Sequence, residues 1–157
     1  MTTAAHTTHS QRGRANRRKG ADAERFVARY LNKVGFGGAQ RAVRNTQPDP
    51  LDLTGIPGTV WSIKNVSSTP QVGKWLAEAE TARNQQGAEL AILVIRRAGK
   101  AEPARWWAWV SYGALTRAVT GLPWPGPTAL ACFELGELVP LLRQAGYGDA
   151  VEMGGTA

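Results

Sequence analysis

Residues 48–64 read PDPLDLTGIPGTVWSIK, and two extended runs inside that stretch decide the fold. Leu51-Asp52-Leu53 is a short strand-like piece ended by Gly55, and Pro57-Gly58 is a turn signal. Thr59 to Lys64 then alternates with the period of two that a strand requires, so Val60, Ser62 and Lys64 share one face. Nine residues, including the Pro-Gly turn, separate Asp52 from Ser62, which is enough for the two runs to fold back as a hairpin. A lysine inside so apolar a strand is poorly placed to serve solubility alone.

Working outward, Phe26, Val27, Tyr30, Leu31 and Val34 recur at helical spacing and predict a helix over about residues 21–34, with Glu24 in its first turn and Gly35 as its stop. Ala39 to Arg44 reads as a short strand. Beyond the hairpin, Pro70 through Gln86 reads as a second helix ended by Gly87. Leu90 to Ile95 is an unbroken apolar run, the pattern of a central strand buried on both faces. Arg105 to Val110 (RWWAWV) gives another strand, Ser111 to Val119 a short helix, Leu122 to Pro127 a loop, and Leu135 to Ala145 a terminal helix stopped by Gly146. Strands mixed with helices in this order imply an α/β domain, a central mixed sheet flanked by helices.

At 157 residues, 43% of them apolar, the chain suits one domain with one core. The expected division is a disordered basic arm over 1–19, a folded domain over 20–149, and a disordered end over 150–157. No apolar run approaches the roughly 18–20 residues of a membrane span, and no secretory segment is evident at the N-terminus. Cys132 is the sole cysteine, which excludes an intrachain disulfide and a cysteine-rich zinc site. A reducing, cytoplasmic setting is the expectation. The net charge is +7, of which Arg12, Arg14, Arg17, Arg18 and Lys19 supply five before any acid occurs. Such an arm can neutralise phosphates and release counterions, so nucleic-acid contact is the expectation, against the alternative of a solvated tail that only aids solubility.

Hydrolysing a phosphodiester requires an activated water, neutralisation of charge developing on phosphorus, and help for the departing alkoxide. A divalent ion held by carboxylates supplies much of this. Magnesium keeps several waters, so one or two protein carboxylates can hold it. A neighbouring lysine can orient the water and stabilise charge. Asp52 and Lys64 have the placement such a scheme needs. Asp49 forms a literal Pro-Asp pair, but Asp52 lies between leucines as a strand residue would, and Asp49 reads better as part of the entering turn.

From Gly20 to about Trp109 the chain resembles the PD-(D/E)XK nuclease superfamily, particularly small Holliday junction resolvase-like proteins of archaeal type and of phages. The matching pieces are GADAERFVARYL with its early glutamate, the acid within DPLDLTGIPG, the SIK tripeptide, and the helix VGKWLAEAETAR. The resemblance implies a restriction-endonuclease-like core and cleavage of branched DNA with Mg2+ or Mn2+. It also implies a homodimer, since cutting two symmetry-related strands takes two active sites. The aromatic strand or the terminal helix is the expected interface. By the same resemblance, Asp52, Glu78 and Glu24 hold metal and Lys64 manages the attacking water.

The pattern departs from the superfamily at Ser62, which stands where an acid is expected. Some restriction endonucleases of this superfamily carry Ser-x-Lys and draw the missing glutamate from the next helix. Glu78, fourteen residues beyond Lys64, has that spacing, while Glu80 points away from it around the helix. The alternatives are a DNA-binding module of the same fold with a decayed site, and a sequence-specific restriction-type endonuclease. Expected DNA contacts are the five basic arm residues with Arg41, Arg44, Asn65 and Ser67. Arg96 and Arg97 suit phosphates or solvent equally, Trp107 and Trp109 suit core or interface, and His6 and His9 lack partners for a metal role.

Overall fold

A computed structural model describes residues 9–43, 51–127 and 129–151. Asp49, Arg44 and His6, weighed above, lie outside them. The described residues form a six-stranded mixed sheet flanked by four α-helices. Helix α1 spans His9–Lys33, followed by strands β1 (Gln40–Arg41), β2 (Leu53–Thr54) and β3 (Thr59–Lys64). Helix α2 (Val72–Gln86) leads to β4 (Leu90–Ile95), a single 3-10 turn (Pro103–Arg105), and β5 (Trp107–Ser111). Helix α3 (Tyr112–Thr120), strand β6 (Leu130–Glu134) and helix α4 (Leu135–Gln144) complete the order.

The strands lie in sequence order across the sheet, and every neighbouring pair is antiparallel except β3 with β4. A parallel pair needs a long crossover, and α2 provides it. The hairpin expected around Pro57-Gly58 is present, with Leu53 abreast of Trp61. Alternation along β3 then assigns its two faces. Trp61 and Ile63 join the larger core beneath α1, α3 and α4, whereas Val60 packs with Leu76, Ala79 and Ala82 of α2. Strand β4 is buried on both faces, as its unbroken apolar run requires. No helix among the described residues is long and apolar enough to cross a membrane.

Two elements correct the sequence reading. The expected disordered arm is, over residues 9–19, the first part of α1, which begins at His9 rather than near residue 21. Between residues 11 and 33 of that helix Ala23 is the first buried one, so no core lies beneath residues 11–19 and they carry no apolar periodicity. Arg, Lys, Ala and Gln favour helix, and extending an existing helix avoids the cost of nucleation. Strand β6 was also missed, because the five residues LACFE follow a proline-rich loop and alternate only weakly.

Close backbone approaches pin the loops that lead to the sheet's edge. Gly55 has φ +86°, and a Cβ there would overlap the carbonyl oxygen of Gly38. Arg143 of α4 donates to the carbonyls of Gly35, Tyr147 and Asp149 at 3.0, 3.0 and 2.7 Å, tying the end of α1 to the chain beyond α4.

Tyr147 is buried and donates its hydroxyl to Glu89 Oε2 at 3.2 Å. Burial first, and then the Glu89 charge and hydrogen bond, push its phenol up to about 12. The neutral phenol is therefore favoured in the fold. Its contribution to stability is whole below about pH 10, where the unfolded phenol begins to ionise, and is lost as pH rises towards 12. Urea unfolding of the parent and of Tyr147→Phe should show a stability difference that shrinks across that window. A difference that stays constant from pH 9 to 12 contradicts this assignment.

Candidate active site

Because β3 and β4 run parallel, their C-terminal ends emerge together, with Lys64 abreast of Ile95. Open α/β sheets characteristically leave a ligand crevice at such carboxyl ends. Here a cleft of about 1030 Å³ opens there. One wall is the stretch of α1 from Asn16 to Glu24, and the facing wall is the loop Arg96–Ala101 that follows β4. Asp52, Ile63 and Lys64 line it between these walls, together with Arg41 and residues 65–68. The Asn65 side chain reaches the Lys19 carbonyl at 3.4 Å, and Arg96 N–H donates to the Lys64 carbonyl at 2.9 Å. These bonds tie both walls to the end of β3.

Among the described residues two carboxylates line the cleft. The Ile63 backbone N–H donates to Asp52 Oδ2 at 2.6 Å, so the acid is oriented by the strand that ends in Lys64. Asp52 N–H in turn donates to the Trp61 carbonyl at 3.0 Å. Glu24 is only 3% exposed, and Arg41 Nε donates to its Oε2 at 2.6 Å. Burying a carboxylate is costly unless it is hydrogen-bonded, and this bond offsets that cost. Around these acids the lining is cationic: Arg17, Lys19, Arg41, Lys64, Arg96, Arg97 and Lys100.

Several residues singled out from the sequence therefore meet in one place: Asp52, Lys64, Glu24, Arg17, Lys19, Arg41, Asn65 and Ser67. Others do not. Glu78 is exposed on α2 and is not among the residues lining the cleft. The helix turns Leu76, Ala79 and Ala82 onto the sheet, which leaves position 78 facing outward. Glu80 is also outside the cleft and accepts from Arg83 Nε at 2.6 Å. Ser62 is 7% exposed on the α2 side of β3 and does not line the cleft. Arg12, Arg14 and Arg18 lie on α1 away from its lining. Lys100 was missed, although the run RRAGK just after an apolar strand was the available signal.

The donor set can be tested against the implied divalent ion. Among the described residues no group of three or more His, Cys, Asp or Glu converges to hold a metal. Two hard-oxygen donors do share the cleft, Glu24 and Asp52. Hard carboxylate oxygens are the donor class that magnesium and manganese take, whereas zinc in closed sites takes four protein donors, which this pair does not offer.

No protein-family model, curated protein or solved structure matches the chain.

Proposed function

We propose that this chain is a metal-dependent endodeoxyribonuclease with a restriction-endonuclease-like core, cleaving branched DNA as a homodimer. The observation that supports this reading is the meeting of Glu24, Asp52 and Lys64 in a cleft whose other charged lining is cationic among the described residues. The cations bind and orient phosphates, which sets the position of the scissile bond without reading bases. Ile63 N–H fixes Asp52, and Arg41 fixes Glu24, so two acids are held at defined places amid positive charge. Bound through Glu24 and Asp52, a magnesium ion would supply a more acidic water and neutralise charge on the phosphoryl oxygens. Lys64 stabilises the charge that develops as water adds to phosphorus and the bond to the departing alkoxide breaks. Binding by shape and phosphate position suits a branched substrate, for which no base-reading helix is required.

The test is cleavage of a four-way junction, a flap and a linear duplex with Mg2+, Mn2+ or neither. Metal-dependent scission of the junction in preference to duplex is expected. Cutting of linear duplex at fixed sites would instead make it a restriction-type enzyme. Sedimentation of the protein should give twice the 16.9 kDa chain mass.

A second reading, the same fold retained as a binding module, is favoured by one pair of observations. Ser62 replaces the expected acid, and no third carboxylate converges among the described residues. Junction binding without scission under any metal condition supports it. Within the nuclease reading, Glu78→Ala should keep its cleavage rate within about twofold of the parent, because substitutions at exposed positions away from a site change little. A loss of a hundredfold would show that α2 supplies an acid after all.

A further inference from the structure

Three cations lining the cleft each lie over a tryptophan. Lys64 Nζ stands 5.7 Å from the Trp75 ring centroid, Arg96 Cζ 5.5 Å from Trp106, and Arg97 Cζ 4.1 Å from Trp107. The rings come from α2, from the residue before β5 and from the first residue of β5, while Lys64 ends β3 and Arg96 and Arg97 directly follow β4. Half of the chain's six tryptophans are used this way. Among the described residues no carboxylate is within ion-pair distance of Lys64 or Arg96. Arg41, Arg97 and two cations outside the cleft have such partners.

The difference matters for a surface that must receive phosphate. A carboxylate that orients a cation also competes with the ligand for it. An aromatic face orients the cation through its quadrupole and leaves the full positive charge in place. Trp106 contributes a second restraint, because its Nε1 donates to the Lys100 carbonyl at 2.9 Å and so fixes the loop that bears Arg96, Arg97 and Lys100.

We infer that Trp75, Trp106 and Trp107 are positioning residues, whose rings hold Lys64, Arg96 and Arg97 ready for phosphate contact without neutralising them. The nature of the ligand rests on the proposed DNA reading; the stacking of ring on cation does not. At Arg97 the ring works beside a carboxylate, since Glu134 accepts from that guanidinium at 2.9 Å. At Lys64 and Arg96 it works alone among the described residues.

The test uses the partly exposed Trp75 and Trp107 rather than the fully buried Trp106. Trp75→Leu and Trp107→Leu keep apolar bulk and remove the ring; Trp75→Tyr and Trp107→Tyr restore one. Two quantities are read in the full chain: the Kd for a fluorescein-labelled four-way junction at fixed salt, and the ring-current shifts of the Lys64 ε-CH2 and Arg97 δ-CH2 protons without DNA. Each Leu variant should weaken junction binding by about 2–5-fold and the double variant by about 5–20-fold. The Tyr variants should recover most of that loss. The upfield shifts should vanish with Leu and persist with Tyr. Leu and Tyr variants that bind alike, or a parent lacking the shifts, overturn the inference. A parent that shows the shifts but binds no junction overturns the DNA reading and the phosphate ligand with it, while upholding the stacking.

Discussion

Asp52→Asn is expected to leave junction affinity within about threefold of the parent, because phosphate contacts carry most of the affinity, while cleavage falls by about 10²–10⁴-fold. The exchange is chosen for what it preserves. Ile63 N–H donates to Asp52 Oδ2, and an asparagine oxygen can accept the same bond, so the local hairpin keeps its geometry. What disappears is a negative charge in a cationic cleft. Repulsion of the phosphates diminishes, so binding should hold or tighten, whereas the grip on a divalent ion is lost. Lys64→Met provides the complementary measurement: cleavage falls comparably and affinity weakens modestly as one cation is removed. Single-turnover cleavage and direct junction binding separate the two effects. An Asp52→Asn protein that cuts at more than a tenth of the parent rate removes Asp52 from the chemistry.

Gly55→Ala should cost about 2–5 kcal/mol of stability, combining roughly 1–2 kcal/mol for a left-handed side-chain residue with roughly 1–3 kcal/mol of steric overlap. Gly55 has φ +86°, and its new methyl would meet the Gly38 carbonyl, which is backbone and cannot swing aside. For a domain of this size that loss lowers the melting temperature by roughly 4–20 °C. The affected turn follows β2 directly and lies three residues from Asp52, so the surviving folded protein should also cleave poorly. Gly73→Ala is the control. It lies in α2 with nothing within 4 Å of the added methyl, and should be neutral or stabilising by up to about 1 kcal/mol. Calorimetry on both variants decides the matter, and equal melting temperatures would contradict the close approach of the two loops.

Much of this architecture was legible because its signals are local. The stretch from Val72 to Gly87 carries helical spacing and a glycine stop, and Leu90 to Ile95 is apolar without interruption; both elements occur where they were expected. The alternation from Thr59 to Lys64 gave the right faces, since Trp61 and Ile63 enter one core and Val60 the other. The outer half of α1 was not legible, because a helix with no core beneath it has no reason to be amphipathic. Spacing alone also misleads about direction. Fourteen residues from Lys64 to Glu78 fix a position along α2, but the face is set by Leu76, Ala79 and Ala82 packing downward. Arg41 shows a further limit: its sequence context allowed a phosphate contact, and only the fold reveals that it also serves the buried Glu24.

The aromatic rings under the cleft's cations have a practical consequence for optical measurements. Indole emission responds to charges close to the ring, and Trp75, Trp106 and Trp107 each have one within 6 Å whose surroundings change when an anion arrives. The unlabelled protein is therefore its own titration reporter: its intrinsic fluorescence should shift in intensity as the cleft fills, with no dye attached.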